Sequence, residues 1–405
     1  MELTELSTEI LIKIFEYCSI PDLCRLEQTC KRFNEIIKKT TTLGNTDPLL
    51  CTNQILKSMR NRSCQLLSLK EKYRISGNWR DGLYKENVII REGRTHIPHF
   101  ILTKENMWYS KGNKIFIYKR NNKNYIDTKN NVQVIRAAKK SEICYFQVKK
   151  NCLISGHWDG SIYIWRSTSD NLFIANAHTS DLHTIDIKDD IFVSGCKDGN
   201  IKLWHLKSKL ELPYIPYQSV CIGDRIWSSS FSEKFDILAI GTAGYNRIAP
   251  VHVLDLNRFT VISQFGNNFA KGSGVLNLKW ETPHLLLSCG YDKYIRCWDT
   301  RLGKCVQAWL DPFYSTVFCF DTDNLCTLVT GAQSHGRVVL WDKRSPRYVQ
   351  TYFMETCKRL LRSSPIYRLS FDACLLFTAT DYNLHVLDFS VTEGVPRDYS
   401  MHHFC

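Results

Sequence analysis

Three residues in this 405-residue chain have the types needed for acyl transfer: His178, Ser194 and Asp198. A serine hydroxyl beside an imidazole that is oriented by a carboxylate makes a nucleophile. Their surroundings argue against that chemistry. No nucleophile-elbow sequence encloses Ser194. The Ser/Thr, Asp and Trp of this set recur elsewhere in the chain, so His178, Ser194, Asp198 and Trp204 read as structural parts of a repeat. Gly266 to Ser273 approaches a phosphate-binding loop, but the order Lys271-Gly272-Ser273 places no lysine for a phosphate. His-Glu-x-x-His and His-Arg-Asp are absent. The seventeen Cys include no Cys-x-x-Cys pair. Cys18, Cys24 and Cys30 are spaced by six, and Cys289, Cys297 and Cys305 by eight, neither of which is a zinc or redox spacing. Buried, reduced thiols are expected. With no reactive group, no metal set and no cofactor motif, the chain reads as a binder, not an enzyme.

The elements that must position His178 and its partners repeat. Ser155-Gly-His-Trp-Asp-Gly-Ser-Ile-Tyr-Ile-Trp165 returns as Ser194-Gly-Cys-Lys-Asp-Gly-Asn-Ile-Lys-Leu-Trp204 and again as Ser288-Cys-Gly-Tyr-Asp-Lys-Tyr-Ile-Arg-Cys-Trp298. Thr330 to Trp341 is a fourth copy with one extra residue in the turn. An apolar strand ends in Ser/Thr-Gly, an Asp-Gly turn reverses the chain, and an alternating strand ends in Trp. The anchors Tyr118, Trp165, Trp204, Leu254, Trp298, Trp341 and Leu387 are separated by 47, 39, 50, 44, 43 and 46 residues. That is the period of a four-stranded propeller blade. Closing the ring needs an outer strand from one end of the domain, with Leu83 to Arg91 and Phe389 to Val395 as candidates.

The first forty residues have a different period. Leu11, Ile14, Phe15 and Cys18 fall at i, i+3, i+4 and i+7, one face of a helix. Ser7 is placed to cap it, with Glu9 in the first turn. Ser19 and Asp22 have capping-box spacing around Pro21, and Leu23, Leu26 and Cys30 form a second stripe. Phe33, Ile36 and Ile37 form a third. Three short helices cannot bury all these faces among themselves, so a partner or the following domain must cover part of them. Residues 47 to 75 read as helical and mixed, a linker.

Leu6, Glu9-Ile10-Leu11, Ile14-Phe15, Asp22-Leu23, Leu26, Cys30-Lys31 and Phe33 resemble an F-box in order and spacing. Ser7 stands where that motif usually has Pro, and Phe33 where it often has Trp. The repeats resemble WD repeats, and His178, Ser194, Asp198 and Trp204 match that family's internal hydrogen-bond network. Together the chain resembles the F-box/WD-repeat family, most like its dactylin type. The resemblance implies an F-box at 1–40, a helical linker at 41–78 and an all-β seven-bladed WD40 propeller at 79–405. It further implies a non-catalytic adaptor of a Skp1–cullin–F-box E3 ubiquitin ligase. Leu6, Ile10, Leu11, Ile14, Phe15, Leu23, Leu26 and Phe33 would bind Skp1, and through it the cullin and the RING subunit. The propeller would hold the target protein for ubiquitination. The side chain before each turn Asp projects at one rim, so Trp158, Lys197 and Tyr291, with Arg225, are the expected target contacts. Family members that read phosphorylated targets use several converging Arg. Arg225 and Arg247 are scattered in sequence and do not support a phosphorylated target.

Composition sets the outer bounds. Hydrophobic residues make up 44% of the chain, enough for a small module and one large domain or for two or three ordinary domains, and the 12% of aromatics favours strands. No run approaches the roughly 20 apolar residues that cross a bilayer. The acidic Glu2, Glu5 and Glu9 do not fit a signal peptide. A cytoplasmic or nuclear location is therefore expected, with no membrane partner. The formal charge of +13 is uneven: 26 Lys+Arg against 14 Asp+Glu up to Lys140, and 27 against 26 beyond it. That excess suggests a second reading, a WD-repeat scaffold without a ligase role that meets RNA or an acidic partner. A solvated basic face is the simpler account, and nucleic acid is not expected.

Overall fold

The computed structural model describes residues 3–42, 49–63, 65–92, 97–121, 125–128, 132–137, 141–149, 152–166, 171–206, 214–245, 247–354 and 364–397, with the side chains of 39–42 excepted. Seven four-stranded antiparallel sheets form the blades of a propeller. Blades 1 to 6 run 100–136, 143–174, 182–221, 226–265, 275–310 and 317–353. Each repeat anchor lies in the third strand of its blade. Trp204 is in Asn200–His205 and the degenerate Tyr118 in Lys114–Lys119.

Blade 7 takes three strands from 368–388 and its outer strand from Lys85–Arg91, which pairs antiparallel with Asn383–Asp388. Of the two candidate closing segments, the one before the first blade closes the ring. The two ends of the domain therefore share one hydrogen-bonded ladder, and opening the ring requires breaking it.

The N-terminal module comprises α1 (Thr8–Glu16), α2 (Ile20–Leu26) and α3 (Lys31–Thr42). Ser19 caps α2, accepting from the Asp22 N–H at 3.3 Å. Ser7 stands at the N-cap of α1, but its side chain caps no backbone group. The Glu9 carboxylate meets both its own N–H and the Ser7 hydroxyl, so it takes over the capping role.

The expectation of a helical linker over 47–75 needs correction. Among the described residues there, only α4 (Lys57–Arg60) and the start of α5 (Leu69–Asp81) are helical. The rest is irregular chain fixed by specific bonds. Cys51 N–H donates to Thr327 Oγ1 at 2.8 Å, and Gln54 spans Gln65 O and Leu67 N–H, each at 2.9 Å. A side-chain amide that satisfies two backbone groups replaces the ladder a helix would supply. Ser68 and Glu71 form a capping box at the start of α5, and Gly82 ends the helix at φ 68°.

The α5 helix joins the two parts. Leu69 packs into the core of the N-terminal module, and α2 lies against α5. Ten residues on, the buried Trp79 stacks on Phe389 at 3.7 Å and meets Tyr352 and Phe371 edge-on, with its indole N–H on Ala373 O at 3.2 Å.

Some of the positive charge up to Lys140 points inward. Arg62 pairs with Asp321, and Arg120 pairs with Asp372 in a fully buried bridge. The basic excess is thus partly a set of internal ion pairs.

Candidate functional site

The outward face of the N-terminal module is the first candidate. Leu11, Phe15, Leu23 and Phe33 are buried in the module's own core, where the Phe15 and Phe33 rings meet edge-on at 5.4 Å. These four expected partner contacts are corrected: they hold the three helices together, with Leu69 as a lid. Leu6, Ile14 and Leu26 are partly buried against the same core. Ile10 is 48% exposed, and Tyr17, at the end of α1, is 92% exposed. Ile10, Ile14 and Tyr17 share one helix face by their i, i+4, i+7 spacing. Leu3, in the segment before α1, is also exposed, and Arg32 pins that segment by donating to Leu6 O at 2.7 Å. The stripes predicted from sequence are present, but only their outer edge is free. Sequence reasoning missed Leu3 and Tyr17 because neither lies on the stripe that holds the core.

The second candidate is a propeller face. In each blade the turn between strands one and two and the turn between strands two and three lie at opposite ends. The linker contacts the first set: Arg62 donates to Thr322 O and Phe371 O, at 3.3 and 3.4 Å. Trp158, Lys197 and Tyr291 lie in the second set, so they and the linker occupy opposite faces.

Lys197 and Arg225 line one hollow together with Tyr245, and Lys197 is paired with Asp181 at 3.3 Å. Trp158 lies by His183 in a separate hollow with Ile97. Tyr291 packs on Trp227, ring centres 5.2 Å apart. The four expected rim residues are therefore all exposed on one face but do not form a single cluster.

Sequence reasoning missed Trp227, Phe318 and Tyr367. The innermost strands of blades 2 to 6 shift register between their first and third residues. Such a bulge frees the residue between them from the ladder and re-aims its side chain. That residue is Trp227 in blade 4 and Phe318 in blade 6, and Tyr367 precedes the first strand of blade 7. The only signal in the sequence was their equivalent place in the repeat.

The His178 set is internal. Trp204 Nε1–H donates to Ser194 Oγ at 2.8 Å, Ser194 lies 2.7 Å from His178 Nε2, and His178 Nδ1 is 3.4 Å from Asp198. Burial pushes the imidazole below its ordinary pKa, so it is neutral near pH 7. Burial opposes ionisation of Asp198, but bonds from His178, Asn200 and Thr179 outweigh it and hold the carboxyl below its usual range. Ser194 is 0% exposed and its oxygen already accepts the indole N–H. No substrate can reach it, which excludes the acyl-transfer reading. Cys196 completes a group of three possible metal ligands with His178 and Asp198. Burial pushes its thiol up to about 12, and both ring nitrogens of His178 are engaged, so this set is committed to internal bonding.

Blades 5 and 6 repeat the Trp bond, Trp298 to Ser288 at 2.8 Å and Trp341 to Thr330 at 3.0 Å. In blade 2, His157 substitutes by meeting Ser155 at 2.9 Å.

Among the described residues, no helix is long and apolar enough to cross a membrane.

Comparison with known proteins agrees with both parts. An F-box-like family model matches residues 8–43, and a WD domain, G-beta repeat model matches 170–205 and 265–299. The F-box/WD repeat-containing protein 4 of Homo sapiens is 30% identical over 96% of this chain and 93% of its own length, and the Mus musculus protein of that name gives the same figures. Among solved structures, the computationally designed Ika8 protein aligns with a TM-score of 0.51 at 18% identity, over 74% of this chain and 100% of its own. That last match bears on the fold alone.

Proposed function

This chain belongs to the F-box/WD-repeat family, and from that premise we propose that it is the target-recognition adaptor of a Skp1–cullin–F-box ubiquitin ligase. Its helical module docks on Skp1 through Ile10, Ile14 and Tyr17, with Leu3, Leu6 and Leu26 at the margin. Skp1 in turn brings the cullin and the RING subunit. The propeller holds a target protein on the face opposite the linker. The chain itself does no chemistry, and the gain in rate comes from proximity of a target lysine to the charged ubiquitin carrier.

One observation carries this reading. The outward apolar residues of the module and the rim of the propeller are both exposed, and α5 is held to the module by Leu69 and to the propeller by Trp79. An exposed tyrosine and isoleucine on a short helix gain most by covering with a partner surface.

Isolation of the tagged full chain from cells tests the proposal. Skp1, cullin and RING subunit are expected to co-purify with the wild type and to be lost from Ile10→Asp combined with Tyr17→Ala. Asp at position 10 lies in the first turn of α1, where a carboxylate suits the helix, so folding is preserved. Equal recovery by both proteins would remove Skp1 docking from this face.

A further inference from the structure

The channel at the centre of the propeller holds a cation that its own carboxylates do not pair. The innermost strands of all seven blades enclose a cavity of about 400 Å³, its rim end framed by Tyr145, Trp227 and Arg368. Its charged lining among the described residues is Arg62, Lys279, Arg368, Asp186 and Asp321. Asp321 serves two cations at once, pairing with Arg62 and lying 2.8 Å from Lys279 Nζ. Asp186 accepts from Ile187 N–H at 2.8 Å, Phe231 N–H at 2.7 Å and Gln147 at 3.3 Å.

Neither carboxylate reaches Arg368. Its guanidinium lies 5.6 Å from the centre of the Tyr145 ring, half-buried, with no ion pair or hydrogen bond among the described residues. A guanidinium partly withdrawn from water gains more from an anion than an exposed one does.

Beside it, four aromatic rings run in contact across blades 4 to 7. Trp227 meets Tyr291 at 5.2 Å, Tyr291 meets Phe318 at 6.4 Å, and Phe318 meets Tyr367 at 5.7 Å. Tyr367 adjoins Arg368 in the chain. Apolar row and unpaired cation thus form one continuous surface at the channel mouth.

We propose that this mouth receives the target, as an extended unmodified segment that sets one Asp or Glu side chain on Arg368 and lays its apolar neighbours along Trp227, Tyr291, Phe318 and Tyr367. The proposal rests on the reading that the propeller holds a target protein. A single free guanidinium matches a carboxylate, whereas a phosphate dianion is met by several converging Arg. A row that crosses four blades fits a chain passing over the face rather than a chain end inserted in the channel.

The test is selection of a random twelve-residue peptide display library on the immobilised full chain. Enriched peptides are expected to share an Asp or Glu next to an aromatic or large aliphatic residue. A synthetic copy of the strongest should bind Arg368→Gln and Trp227→Ala about tenfold more weakly than wild type, at unchanged melting temperature. Exchange of charge supplies the discriminating measurement: binding lost in Arg368→Glu should return when the peptide's acidic residue becomes Lys. No enrichment, enrichment indifferent to Arg368, or binding only by phosphorylated or C-terminal versions of the peptide would each overturn the proposal. Peptide binding retained by Ile10→Asp/Tyr17→Ala separates this result from the fate of Skp1 docking.

Discussion

At the scale of residues, buried polar groups decide more here than exposed ones. Ser194 satisfies an indole and an imidazole with one hydroxyl. Ser194→Ala leaves the Trp204 indole N–H and the Nε2 of His178 without that hydroxyl, and the expected loss is about 1–3 kcal/mol of stability, read as a lower denaturant midpoint. Target and Skp1 binding should be unchanged at temperatures where the variant is folded.

The buried imidazoles also set a pH dependence. Burial lowers the pKa of His99, His157, His178 and His252 below 6.5. The unfolded chain therefore takes up protons near 6.5 that the native state refuses. Stability is fully present above that pH and falls as the pH drops below it, by up to about 1.4 kcal/mol per pH unit for each such group. Melting curves between pH 7.5 and 5.5 should move steadily downward on acidification. A flat profile would mean that these rings are protonated in the folded state.

At the scale of elements, the weight falls on α5. Trp79 fills a site formed by Phe371, Tyr352 and Phe389 from blades 6 and 7. Trp79→Ala should cost about 3–5 kcal/mol. It should also expose the linker to proteolysis before the blades, since the closing strand Lys85–Arg91 begins four residues after α5 ends. Simultaneous cleavage of linker and blades would show that the two are not separable units.

This is also where the sequence was hardest to read. The third-strand Trp residues announced the blades because their period survives divergence. Trp227 and Phe318 did not announce the channel mouth, because a bulge at that point breaks the two-residue alternation by which a strand's faces are told apart. In the N-terminal module the stripe positions were legible, but periodicity cannot say which part of a stripe a neighbour covers. By periodicity alone Leu11, Phe15, Leu23 and Phe33 read as partner contacts, whereas they lie in the module's core. The irregular stretch before α5 looks helical in sequence because Leu and Met suit helices, while Cys51 and Arg62 hold it to the propeller and Gln54 bonds back onto Gln65 and Leu67.

At the scale of the whole molecule, the exposed face of the helical module and the exposed rim of the propeller are joined through α5. The helical module is fixed to α5, α5 to blades 6 and 7, and blade 7 is closed by the strand that follows α5. Such a body holds whatever sits on its rim at a set distance from whatever covers Ile10 and Tyr17. A flexible tether would lower the effective concentration of the held target at the reacting centre. The most direct check is calorimetric titration of the purified full chain with purified Skp1. The account predicts one-to-one binding that Ile10→Asp weakens about tenfold or more without shifting the melting temperature. Absence of binding, or binding of equal strength by the variant, would contradict it.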